Sequence, residues 1–187
     1  MASVLYYPTG DCGGTSGVPQ HTCSPCPSYE NGRIRHGFFY KSSFTFVSPE
    51  NRNEWIAGLA SGDIQLLWGI SGSYDGGTIT ELPGFGDVET TNGGTIHIAQ
   101  IKDPNYYDNC DFYNAMRDSQ DWNFGYVTEN FIHFSDAPVT VSPKNPIQDD
   151  LKSIVTWEAQ IKWSNSSSPC PYNKPTGIFD RCMVEAQ

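Results

Sequence analysis

The chain has little positive charge, no long apolar run and no complete catalytic motif. Eleven Lys and Arg stand against 21 Asp and Glu, for a formal net charge of -10 at pH 7. Nucleic-acid binding needs clustered cations to neutralise phosphates, so this balance argues against a nucleic-acid partner. It equally disfavours docking on an anionic membrane surface, and it suits solubility, divalent cations or basic partner surfaces. No segment approaches the roughly 20 apolar residues of a membrane-spanning helix. The opening MASVLYYPTGDCGG carries neither a basic region nor an apolar stretch, so the expectation is no secretory signal and synthesis in the cytoplasm. Long helices are scarce as well, because 18 Gly and 13 Pro interrupt the chain often.

Glycine punctuation and aromatic residues take their place. From Trp68 to Ile101, glycines at 69, 72, 76, 77, 84, 86, 93 and 94 separate short apolar runs, the pattern of turns, bulges and loops in antiparallel sheet. Aromatic residues make up 13% of the chain and carry much of the packing. At 187 residues the chain is long enough for one domain with appendages.

Residues 1–32 are rich in Gly, Pro, Ser, Thr and Cys without periodicity, and are read as an irregular N-terminal arm. Residues 33–164 form the expected core domain, and 165–187 a flexible C-terminal tail. Within the core, 33–47 alternates as one strand or a bent pair. Ser48, Pro49 and Glu50 predict a helix start, with Ser48 as N-cap, Trp55, Ile56, Leu59 and Ala60 on one face, and Gly62 as the stop. Asp63–Ile70 and Thr95–Ile101 are strand candidates, the latter broken by Asp103-Pro104. Tyr106–Ser119 has helical spacing that turns Cys110 toward the core. Asp121–Phe134 reads as a hairpin or bent strand, and Ala137–Val141 as a short strand. Leu151–Trp163 alternates best, with Val155, Trp157, Ala159, Ile161 and Trp163 on the buried side. The predicted fold class is mainly β: an antiparallel sandwich or barrel with two short helices and irregular, cysteine-bearing N- and C-terminal arms.

The six cysteines stand at 12, 23, 26, 110, 170 and 182, five of them in the two ends. Cys23 and Cys26, spaced as Cys-x-x-Cys, can bite one zinc ion together with Cys12 and His21, and Cys170 and Cys182 can complete a set if the ends meet. A second Cys-x-x-Cys is missing, so disulfide pinning of the ends and no role at all stay open. Calcium is a candidate at Ser71 to Gly77, or at Asp103 with Asp108 and Asp111, against the plainer reading of Asp75-Gly76-Gly77 as a hairpin turn. Gly69-Ile70-Ser71-Gly72-Ser73 fails the nucleophile-elbow pattern at its last position. His97 and His133 are read as surface or packing residues, and Asp149-Asp150 as loop chemistry. Trp122, Tyr126, Tyr74 and Tyr106 are candidates for a sugar-stacking platform, against the reading that they fill the core.

Four stretches carry a family likeness: Glu30-Asn31-Gly32-Arg33-Ile34-Arg35, Gly72-Ser73-Tyr74-Asp75-Gly76-Gly77, Gly84-Phe85-Gly86 and Asp111-Phe112-Tyr113-Asn114. With them, residues 30–165 resemble structural virion proteins of tailed bacteriophages, in particular those infecting Bacteroidetes, including the crAss-like group. The resemblance implies a non-enzymatic subunit of a tail, connector, ring or capsid decoration, located in the virion. Its partners would be copies of itself and other virion proteins, with no catalytic residues to carry over. The alternative expectation is a carbohydrate-binding β-sandwich module.

Overall fold

The computed structural model describes residues 30, 32–84, 90–147, 149 and 152–179. The order of elements is β1 (His36–Lys41), α1 (Arg52–Ser61), β2 (Ile64–Leu67), β3 (Ser71–Tyr74), β4 (Thr78–Pro83), β5 (Thr90–Asp103), α2 (Cys110–Asp118), β6 (Trp122–Val127), β7 (Phe131–Pro138), β8 (Thr140–Lys144), β9 (Trp157–Asn165) and β10 (Tyr172–Asn173). The chain is mainly β. Its strands form two antiparallel sheets, one in the order β10-β7-β6-β1-β2, the other β3-β5-β9-β8 with β4 also on β5. They stack as a sandwich, and a bridge from Ile34 to Gly72 links the entry of the first sheet to the edge of the second.

Two apolar clusters hold the layers. Between the sheets, Phe39, Phe124 and Tyr126 from the first meet Ala99, Ile101, Trp157, Ala159, Ile161 and Trp163 from the second, closed at one end by Tyr113 and Met116 of α2. On the outer face of the first sheet, Phe38, Tyr40, Ile64, Val127, Ile132 and Phe134 pack under Trp55 of α1 and under Ile178 and Phe179. The first sheet is therefore buried on both sides, and four consecutive residues of β1, Gly37 to Tyr40, are buried. A run without alternation is what such a strand requires. β9 is buried on one side only, and its alternation is clean over Trp157–Trp163 as expected from sequence.

Several local expectations shift. The helix begins after Asn51, not Ser48: Asn51 Oδ1 accepts the Asn53 N–H at 3.0 Å, and Glu54 reaches back to the N–H groups of Val47 and Ser48. The Asn51 side chain thus caps the first turn, while Glu54 ties the helix to the segment that precedes it. Ser48 instead accepts the Asn51 N–H in a turn. The buried face holds Trp55 and Gly58, while Ile56 and Ala60 are exposed. Gly62 ends the helix in the left-handed region, as the sequence predicts. Asp75-Gly76-Gly77 is not a hairpin turn. β3 and β4 both run antiparallel to β5, one after the other, so these residues are a bulged break in a single edge ribbon. Asp75 Oδ1 pins that break by accepting the N–H groups of Gly77 and Ile98.

Cys110 is exposed rather than core-facing; Tyr113 and Met116, one turn on, take the buried stripe. Among the described residues beyond Ser164, 172–179 are tied to the first sheet. β10 pairs with β7, Glu50 accepts both the backbone and side-chain N–H groups of Asn173, and Ile178 is fully buried.

Candidate functional site

The expected zinc ligands Cys12, His21, Cys23 and Cys26 lie outside the described residues, as does Cys182. Cys110 and Cys170 are exposed free thiols. Among the described residues no three His, Cys, Asp or Glu side chains converge on a point where a metal ion would sit. Nor is any helix among them long and apolar enough to cross a membrane.

Asp103 is buried, and neither Asp108 nor Asp111 joins it; both are exposed. Its Oδ1 accepts the Asn105 N–H, and its Oδ2 accepts Asn109 Nδ2 at 2.7 Å and the Tyr113 hydroxyl at 3.0 Å. The carboxylate thus turns the chain from β5 into α2 and spends its lone pairs on protein donors. Burial, then the Asp103 charge, push the Tyr113 phenol up, which keeps it a donor.

His97 is a packing residue. It is fully buried, its ring lies 5.3 Å from Trp163 at 16°, and its Nδ1 is 2.6 Å from the Tyr74 hydroxyl. His133 stacks on Tyr126 at 4.7 Å, and burial lowers its pKa. Residues Ser71 and Ser73 belong to β3, with no elbow geometry. Asp149 is exposed, and Asp150 lies outside the described residues. The four candidate stacking aromatics do not share one exposed platform. Tyr126 is buried, Tyr74 sits between Tyr126 and Trp163, Tyr106 lies on Trp157, and Trp122 packs against the same inter-sheet cluster.

Among the described residues, three surfaces combine shape with polar or edge chemistry. The first is the open face of the second sheet. Cross-strand register sets Ser73, Gln100, Gln160 and Ser142 in one row and Ser71, Lys102, Glu158 and Lys144 in the next. They line a groove of ≈ 320 Å³. Glu158 lies 2.7 Å from Lys102 and 3.6 Å from Lys144, and the Lys102 ammonium holds its carboxyl below the usual value. The second surface is β4. It pairs with β5 alone among the described residues, every one of its residues is exposed, and Ile79 and Leu82 are 60% and 50% exposed.

The third surface is a pocket of ≈ 250 Å³ on the outer face of the first sheet. It is built by a bulge. Gly125 faces Phe134 and Asn123 faces Pro138, so one residue of β6 spans three of β7. Ser135 repairs the gap: its hydroxyl accepts the Phe124 N–H and donates to the Ala137 carbonyl. Asp136, at φ 49, is the one non-glycine residue in the left-handed region among those described. Asp136, Asn123 and Tyr40 line the pocket with Phe46, Phe134 and Tyr172. The signal for it in the sequence is faint: alternation over Phe131–Phe134 fails at Ser135-Asp136-Ala137.

No family model matches the chain, and no curated protein matches it.

Proposed function

We propose that this chain is a non-enzymatic structural subunit that assembles with copies of itself in the particle of a tailed phage, as a tail, connector or ring component or a capsid decoration. The observation that carries the assembly reading is β4. An edge strand with a free row of backbone donors and acceptors is a template for another strand, and stable monomers cover or charge such edges. Here Ile79 and Leu82 add apolar area to that edge, with Glu81 and Pro83 limiting how far a neighbour can extend. A strand from a second copy completes the ladder by β-augmentation, and repetition by symmetry gives a ring or shell. The phage setting rests on the sequence resemblance. Synthesis in the host cytoplasm and residence in the virion follow from that reading.

Mass photometry of the purified protein tests assembly. A closed oligomer of defined copy number is expected, and Ile79→Asp/Leu82→Asp should reduce it to monomer. A wild-type protein that stays monomeric at every concentration rejects self-assembly. Its absence from purified particles by mass spectrometry rejects the virion location.

The groove of the second sheet favours a second reading, a carbohydrate-binding module. Its rows of Gln and Ser offer the paired donors and acceptors that sugar hydroxyls need. A glycan array without hits, or binding unchanged in Gln100→Ala/Gln160→Ala, rejects it.

A further inference from the structure

Assembly through β4 needs a second surface for that edge to meet, and the open edges of the two sheets differ in what they offer. Among the described residues the first sheet ends on β10 and β2, the second on β8 and on the ribbon of β3 and β4. β10 is two residues long, and β8 carries Pro143 and Lys144, which guard an edge against pairing. β2 reads Ile64-Gln65-Leu66-Leu67, with neither charge nor proline. Beside it, α1 has no charged residue from Trp55 to Ala60. Trp55 and Gly58 face the core, while Ile56, Ala57 and Ala60 are exposed. A helix that is apolar on every side is one that something covers.

The shape around β2 matches β4. Ile64 and Leu66 share the outer face of the first sheet with Tyr40 and Phe38, and Gln65 and Leu67 share its inner face with Phe39. A groove of ≈ 510 Å³ opens on the outer side, between β2 and Ile56, Leu59 and Ala60 of α1. Another of ≈ 290 Å³ opens on the inner side, bounded by Asn105, Asn109 and Phe112. No residue lining either groove is charged. β4 presents apolar side chains to both sides at once. Its register against β5 shifts where β4 advances from Ile79 to Glu81 and β5 from Asn92 to Thr95, so the extra residue belongs to β5 and β4 keeps its alternation. Ile79 and Leu82 therefore project to opposite faces of β4, 60% and 50% exposed.

We propose that β4 of one copy docks beside β2 of the next, head to tail, with one of Ile79 and Leu82 in the groove beside α1 and the other in the groove beside Phe112. This rests on the reading of β4 as the assembly edge, and names the surface that edge meets. Charge favours the choice. A chain of formal charge -10 repels its own copies except across uncharged patches, and both grooves are uncharged. A β4-to-β4 contact would bring Glu81 of both copies into one short seam, whereas β2 brings no carboxylate to Glu81. A contact between two different edges leaves each copy with one further edge to offer, so it repeats into a ring when the rotation closes.

Two full-length variants test it in sedimentation velocity. Ile79→Asp/Leu82→Asp blocks β4, and Ile56→Glu/Gln65→Glu, both at exposed positions, blocks β2. Each alone should sediment as a monomer with the circular dichroism of wild type. Mixed, they should form a dimer of one copy of each and nothing larger, because the mixture restores a single β2–β4 contact. Ala60→Arg, on the exposed face of α1, is a second block on β2 and should behave as Ile56→Glu/Gln65→Glu does. The proposal fails, and assembly through β4 stands, if both β2 variants assemble as wild type does while the β4 variant is monomeric. It also fails if folded variants of the two edges stay monomeric when mixed. Assembly through β4 fails with it if the wild-type protein is monomeric at every concentration, or if the β4 variant still assembles.

Discussion

The two sheets of the sandwich are buried differently. The first has apolar clusters on both faces, and its central strands β1 and β6 are buried at consecutive residues. The second buries one face and keeps polar rows and the apolar edge of β4 on the surface. A sheet covered on both sides tolerates few changes, so the first is the rigid half. Its one large irregularity, the Asp136 bulge, persists against a surrounding that specifies every neighbour. In the second sheet, an unpaired edge carries no comparable cost, because water satisfies what a partner does not.

The contrast breaks or sharpens under mutation. On β1, truncation of either neighbour should be severe: Phe38→Ala and Phe39→Ala should each destabilise by about 3–5 kcal/mol in denaturant unfolding, since each ring fills a different cluster. On β9, Ile161→Ala should cost about 2–5 kcal/mol, whereas the adjacent Gln160→Ala should change stability by no more than about 0.5 kcal/mol. Equal costs at 160 and 161 would erase the distinction between the sheets. Gly125 offers a second probe of the first sheet, because any side chain there overlaps the Phe38 ring across the strand pair. Gly125→Ala should cost about 1–3 kcal/mol or more.

Smaller effects are expected where polar groups join the layers. Tyr113→Phe removes one of the donors to buried Asp103 and should cost roughly 1–3 kcal/mol. The pH dependence adds a further step. Burial against Tyr126 lowers the His133 pKa from 6.5, so between that value and the lower folded one the unfolded chain binds the extra proton. Stability is then full above about pH 6.5 and falls as the pH drops below it. His133→Gln should flatten that slope in thermal melts taken at successive pH values. The smallest effect belongs to the open face: Glu158→Gln removes the ion pairs to Lys102 and Lys144, which are well exposed. It should shift the melting temperature slightly at low salt and not at high salt.

Periodicity made β9, the hairpin of β6 and β7, and the break at Asp103 legible, because each depends on neighbours in sequence. Gly62 was equally plain as a helix stop. Less legible was whatever depends on a distant partner. Glu50 looked like a first-turn acid but caps Asn173, which lies far along the chain. Residues 172–179 looked like a loose tail because Gly, Pro and Ser around them hide Ile178 and Phe179, whose burial needs the face of the first sheet. Asp75-Gly76-Gly77 carried a hairpin signal, and only the length of β5 lets one strand pair with both sides of that break. The pocket escaped for the same reason. Asn123, Tyr40 and Asp136 come from three strands, and the bulge that unites them leaves a single lapse in alternation.

The most direct test of the account is hydrogen exchange of the amides of β1, β6 and β4 in dilute and in concentrated protein. In the dilute sample the amides of β1 and β6 should exchange slowly and the outward-facing amides of β4 rapidly. On concentration the β4 amides should become protected while β1 and β6 stay as they were, marking β4 as the seam between copies. Rapid exchange in β4 at every concentration would contradict assembly through that edge.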